Sequence, residues 1–363
     1  MVGILTFHRA VNYGAVLQAY ALQKTLDEIG ISNEVIDYRC PFIEKHYNPL
    51  PGVSPLHLKH FLKEVSLVPQ KYRLRMHFDI FLSQNLKMSR VVERQNLREI
   101  ITEYDTIVTG SDQIWNLAVT GGDTTYALDF APETVRKISY AASIGPEEIE
   151  KQYQSKLAPL LKRYNVLSVR EPAARRPVEL LSKKKVELDV DPTVLQPIEK
   201  WDDLAEKSEL DYKNFVFVYT MQPSEILFGT AEKLARKKNL KIYSLSMVDD
   251  SPKLGINVKG AKIEDFLWMI KHASYVVTNS FHGLLFAIRF HKQFYWAFQQ
   301  GKHMSNPRFN MLIEQYGIDC RCCSESQKDL PMHPMDYEKV EITMKQQRNQ
   351  SIAHLKNSIT GEY

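Results

Sequence analysis

The stretch VGILTFHRAVNYGAVLQAYALQKTLDEIGISNEVIDY, residues 2–38, decides the fold. It opens with an apolar run of strand length, VGILTFH, and turns through RAVNYG. The next segment places Leu17, Tyr20, Ala21 and Leu26 near one helical face, and Gly30 ends it. NEVIDY then reads as a second strand. A strand–helix–strand unit of this length seeds a parallel α/β sheet.

The alternation resumes further along. YDTIVTG, RKISYAASIG, YNVLSVRE and KVELDVDP read as strands, with a helix predicted over ARRPVELLSK. A second series follows: strand FVFVYTM, helix SEILFGTAEKLARKKN, strand KIYSLSM, helix IEDFLWMIKHA, strand SYVVTNS and a helix from Gly283 onward. Between the series, DPTVLQPIEKWDDLAEKSELDYK combines two prolines with a charge-rich run and marks the domain boundary. Residues 41–100 interrupt the first series with a Pro-rich loop and two amphipathic helices, LKHFLKEVSL and KYRLRMHFDIFLSQNL. Asp336 is placed to cap a closing helix carrying Val340, Met344, Ile352, Leu355 and Ile359. The expected organisation is an N-terminal Rossmann-like domain over 1–195 with a helical insertion at about 41–100. A second Rossmann-like domain covers 196–335, and a C-terminal helix over 336–363 packs back.

The 363 residues are 44% hydrophobic and 25% charged, the composition of an ordinary globular protein. A formal charge of +4 calls for no nucleic-acid partner and does not repel a small anion. Cys320, Cys322 and Cys323 are too crowded to share one tetrahedral zinc and have no CxxC partner, so a reduced, cytoplasmic setting without a metal is expected. His57 and His60 stand three apart on a helix with no acidic partner at metal-binding spacing, and read as solvated. No secretory leader or membrane-length apolar run is read. P-loop, GxGxxG and GxSxG patterns are absent, and no cofactor is expected.

Ligands of parallel sheets bind beyond the carboxyl ends of strands, so the chemistry is sought in five loops. TFHRAVNYG offers His8, Arg9, Asn12 and a glycine at a helix start, either an anion site or a tight turn. TGSDQIWN offers Asp112, Gln113 and Asn116 for sugar hydroxyls and Trp115 for a sugar's C–H face. Its alternative is a cap by Asp112 over a core Trp115. Arg170 in SVREP is a bidentate anion clamp or half of a surface pair with Glu171. Asp191 in DVDPT reads first as a structural turn. In VVTNSFHGLLFAI, Asn279, Ser280 and His282 sit where strand becomes helix. Free N–H groups there favour an anion, and an imidazole moves protons near neutral pH. The alternative is a Ser280 cap with His282 packed at the domain interface.

Taken in order, GILTFHRAVNYGAVLQAYAL, YDTIVTGSDQIWN, ISYAASIG, LSVREP, DPTVL, VVTNSFHGLLFAI and NPRFNMLIEQYGI resemble the polysaccharide pyruvyl transferase family. The resemblance implies two Rossmann-like domains with parallel sheets in a GT-B-like arrangement. It implies transfer of a pyruvyl group from phosphoenolpyruvate to a pair of sugar hydroxyls, forming a ketal in bacterial exopolysaccharide or other cell-surface glycan biosynthesis. His282 becomes the proton donor and acceptor, and Asp112 a base or acceptor anchor. Ser280 and the backbone at Gly283 would hold phosphate, and Arg170 phosphate or carboxylate. The acceptor would be a glycan or a lipid-linked sugar, reached by peripheral contact with a membrane. Phe281 stands where family members carry an arginine. Arg308 or Arg9 is expected to supply that charge to phosphoenolpyruvate or another anionic donor. Two other readings stay open: a GT-B glycosyltransferase using a nucleotide sugar, and a non-catalytic glycan-binding relative.

Overall fold

Strands buried on both faces carry unbroken apolar runs, and both sheets are built on such strands. A computed structural model describes residues 1–50, 58–246, 254–300, 306–323, 330 and 335–362, without the side chains of 58–60, 246 and 320. His57 and the His60 side chain therefore lie outside the described residues. In the first sheet, β1 (Val2–Leu5), β2 (Asn33–Val35), β3 (Thr106–Thr109) and β4 (Arg136–Ser139) run parallel in the order β2-β1-β3-β4. Two short strands, β5 (Ser168–Val169) and β6 (Glu187–Leu188), extend it through bridges from Ile138 to Val166 and from Ala142 to Val169. The second sheet holds β7 (Phe215–Thr220), β8 (Lys241–Ser246), β9 (Ile256–Asn257), β10 (Tyr275–Thr278) and β11 (Phe294–Trp296), parallel in the order β11-β10-β7-β8-β9.

The helices are α1 (Tyr13–Glu28), α2 (Pro41–His46), α3 (Leu58–Asn85), α4 (Leu97–Ile100), α5 (Lys151–Leu161), α6 (Pro172–Ser182), α7 (Pro192–Leu195), α8 (Ile198–Ala205), α9 (Glu225–Lys238), α10 (Ile263–His272), α11 (Phe281–Arg289), α12 (Pro307–Tyr316) and α13 (Tyr337–Thr360). Asp336 caps α13 through the Lys339 amide, and α13 returns to the first sheet. Arg136 donates to the Ser358 carbonyl, and the Val190 amide donates to the Ser351 hydroxyl.

Two expectations need correction. The insertion's two amphipathic helices are one continuous helix, α3, that runs through Pro69. Proline deletes one hydrogen bond but does not end a helix whose far half is anchored, here by buried Phe78, Phe81 and Leu82. The charge-rich stretch between the two series folds into α7 and α8. The last helix of the second series starts at Phe281 rather than Gly283, because Ser280 caps it.

The two sheets share one apolar core. Tyr13, at the start of α1, stacks on Phe266 of α10 at 4.7 Å and donates to the Ala261 carbonyl at 2.9 Å. Strand order reverses between β1 and β3 in one sheet and between β7 and β10 in the other. At such a reversal adjacent loops diverge and leave a crevice.

Candidate active site

A cavity of about 550 Å³ lies between the two reversals. Asn12 follows β1, and Asp112, Gln113 and Asn116 follow β3. Met221 and Gln222 follow β7, and Ser280, Phe281 and His282 follow β10; Arg308 and Gln299 also line the cavity. Of the eleven site residues expected from sequence, seven thus meet at one place: Asn12, Asp112, Gln113, Asn116, Ser280, His282 and Arg308.

His282 is the best-held of them. Its Nε2 lies 3.2 Å from Asp191 Oδ2, and its ring packs against the first turn of α1. A Cβ on Gly14 would fall 2.0 Å from His282 Nδ1. Gly14 does leave room for close approach, but what approaches is the histidine of the other domain. Two helix starts, α1 and α11, therefore converge on the cavity, each capped by its own side chain. Asn12 accepts from Ala15, and Ser280 accepts from Gly283 at 3.2 Å.

Asp191 is the residue the sequence undervalued. It caps α7 through Thr193, pairs with His282 and accepts from Arg170 Nη1 at 2.7 Å. Burial opposes its ionisation, but His282, Arg170 and Thr193 outweigh burial and hold the carboxyl well below the usual carboxylate range. Nothing local signals this role, since Asp191 and His282 are far apart in sequence and in different sheets.

Arg170 is fully buried among carboxylates: Asp191, Glu171 at 3.5 Å and Asp112 at 3.9 Å. Burial pulls its pKa down, and Asp191, Glu171 and Asp112 more than restore it. Its Nη2 is buried with no hydrogen-bond partner among the described residues. Glu171 is not a surface partner; it is buried and bonded to Ser143.

Phe281 is a platform rather than a gap. The Arg170 guanidinium sits 4.6 Å from its ring centre and that of Arg308 5.4 Å. Burial first, and Arg170 second, push Arg308 down to about 10, against the pull of Asp112, Glu171 and Asp191. Two guanidiniums from other loops thus flank the Phe281 ring.

Four residues fall elsewhere, and the first, Arg170, lines a separate cavity with Asp189, Asp191 and Phe281. Arg9 does not line the cavity; Asp79 at 2.8 Å and Glu44 at 3.2 Å hold it against the insertion. Trp115 is a core side chain edge-on to Tyr164 at 5.8 Å and shows no face to the cavity. Gly283 serves packing, since a Cβ there would fall 2.8 Å from both Thr278 and Tyr219 of its own sheet.

The sequence pattern of the polysaccharide pyruvyl transferase family matches residues 12–297. No curated protein matches the chain. Among solved structures, UDP-GlcNAc 2-epimerase from Neisseria meningitidis bound to UDP-GlcNAc is similar over 99% of both chains, with TM-score 0.52 and 8% identity. The Methanocaldococcus jannaschii UDP-GlcNAc 2-epimerase in complex with UDP-GlcNAc and UDP is similar over 99% of this chain and 98% of its own, with TM-score 0.50 and 12% identity. At such identities the likeness is one of fold, the GT-B arrangement of two parallel-sheet domains.

Proposed function

The chain belongs to the polysaccharide pyruvyl transferase family, and from that premise we propose that it is a transferase moving the pyruvyl group of phosphoenolpyruvate onto two hydroxyls of one sugar. The observation that carries the reading is His282, fixed by Asp191 and seated against Gly14, facing the same cavity as Arg308 and Asp112.

Phosphoenolpyruvate brings a phosphate and a carboxylate. Arg308 and the starts of α11 and α12 offer charge and dipole to the phosphate and carboxylate, and Arg170, buried behind Phe281 and Asp112, adds positive charge from outside the cavity. His282 protonates the methylene carbon. Asp191 stays ionised behind it and stabilises the imidazolium. The cation-like C2 is attacked by one sugar hydroxyl, whose proton passes to Asp112. A second hydroxyl attacks C2 as the C–O bond to phosphate breaks. One proton enters the methylene and two leave the hydroxyls; one of these restores His282 and the other departs with phosphate. Asn12, Gln113 and Asn116 supply the amide contacts that a polyol needs.

The test combines binding and turnover. Phosphoenolpyruvate at 100 times its dissociation constant is expected to add about 2.7 kcal/mol of stability. Stabilisation by UDP and none by phosphoenolpyruvate would reject the donor. With a panel of acceptor glycans, phosphate release is expected from the wild type and not from His282→Ala; equal rates would reject the role of His282.

A further inference from the structure

Helix α3 has two apolar faces, and the fold uses one. Phe78, Phe81 and Leu82 are buried in the shared core, with Leu74 packed beside them. Leu62, Val65, Tyr72, Met76 and Ile80 are between 42% and 66% exposed. At 3.6 residues per turn these five fall within an arc of about 80°, on the side away from the core residues. Exposed Phe42 and Leu50 precede them on the same insertion. A contiguous apolar patch on an otherwise polar surface marks an interaction site.

The insertion is also basic in sequence, with Lys87 paired to Asp27 and Arg94 to Asp123 and Asp129 outside it. Residues 41–100 hold ten Lys and Arg against five Asp and Glu, an excess of +5. The whole chain carries +4, so the remainder is −1. On α3 itself the basic residues are Lys59, Lys63, Lys71, Arg73 and Arg75, against Glu64 and Asp79. Among the described residues, no helix is long and apolar enough to cross a membrane.

We propose that α3 is a membrane-surface helix that lies along a lipid bilayer bearing anionic headgroups. Its apolar stripe enters the boundary of the acyl chains, and the insertion's basic residues meet the headgroups. Charge favours this occupant over a second copy, because two helices each in basic excess repel one another. The surface is joined to the active site. Arg75 Nη2 grips Glu44 of α2 at 2.8 Å, and Phe42 of α2 lines a cavity with Asn12, Asp112 and Gln113. That cavity holds about 350 Å³ and shares Asn12, Asp112 and Gln113 with the one at His282. Docking through α3 therefore sets the acceptor side of the cleft next to lipid. The inference rests on the surface alone and stands whatever the donor proves to be.

The full chain is sedimented with vesicles of phosphatidylcholine, and with vesicles of phosphatidylcholine and phosphatidylglycerol. Binding to the mixed vesicles is expected to exceed binding to the neutral ones by about tenfold or more, and to fall as salt is raised. The triple variant Tyr72→Glu, Met76→Glu, Ile80→Glu is expected to lose binding without a change in melting temperature. The double variant Lys63→Glu, Arg73→Glu is expected to lose the preference for anionic lipid. Absent binding, equal binding to both vesicles, or full binding by the triple variant overturns the proposal. So does a dimer in analytical ultracentrifugation that the triple variant dissociates, which would assign the stripe to a second copy.

Discussion

Asp191 closes the charges of the site, and its replacement tests that directly. Asp191→Asn leaves Arg170 buried without its closest counter-charge and is expected to cost about 3–5 kcal/mol in chemical unfolding. The pH dependence has a definite sign. A carboxyl held below its unfolded value near 3.9 contributes stability that is present above that pH and is lost as pH falls toward the folded value. The gap between wild type and variant should narrow as pH falls below about 4. Gly14→Ala tests the other support of His282. Alanine is normally worth up to about 1 kcal/mol over glycine in a helix. Here its Cβ would overlap the imidazole, so a net loss of about 1–3 kcal/mol is expected, with a larger fall in kcat. Unchanged kcat would mean that His282 need not be held there. The proposed roles of His282 and Asp112 follow from strand-end position together with the family resemblance, and that of Arg308 from the resemblance alone. Those of Asp191 and Gly14 do not, because each acts on a side chain distant in sequence.

Helices and strands were legible where their own residues supply the signal. The central strands β1, β3, β7 and β10 carry apolar runs, and α1 and α13 carry caps and helical spacing. β5 and β6 have two residues each and rest on their neighbours. The two insertion helices read from sequence are one because Pro69, which lies between them, is tolerated where packing holds the helix beyond it. The C-terminal helix is fastened by a titratable clamp. His354 Nδ1 meets Asp189 Oδ2 at 2.7 Å. Burial works against the imidazolium, but Asp189 first and Glu187 next outweigh it, with Lys185 opposing, and the His354 pKa is raised. A raised histidine contributes stability that is full below its unfolded pKa near 6.5 and fades as pH climbs through the folded value. The melting temperature of His354→Gln should therefore fall furthest below wild type in mild acid and rejoin it in alkali. A gap that widens with pH would contradict the clamp.

At the scale of the molecule, the two-domain arrangement was visible in the repeated alternation of strand and helix. The facing strand-order reversals were not visible, since pairing order depends on contacts across the whole chain. The core runs unbroken from Leu17 of α1 through Trp201 to Phe286 of α11. The two sheets are accordingly expected to melt in one calorimetric transition, with van't Hoff and calorimetric enthalpies equal. Two resolved peaks would show that the domains are independent. The contact between Gly14 and His282 carries a last consequence for modularity. The histidine is encoded in one half of the chain and the space it occupies in the other. Neither half is a self-contained cassette, and a hybrid stitched from two related sequences would inherit a working imidazole only if the glycine travelled with it.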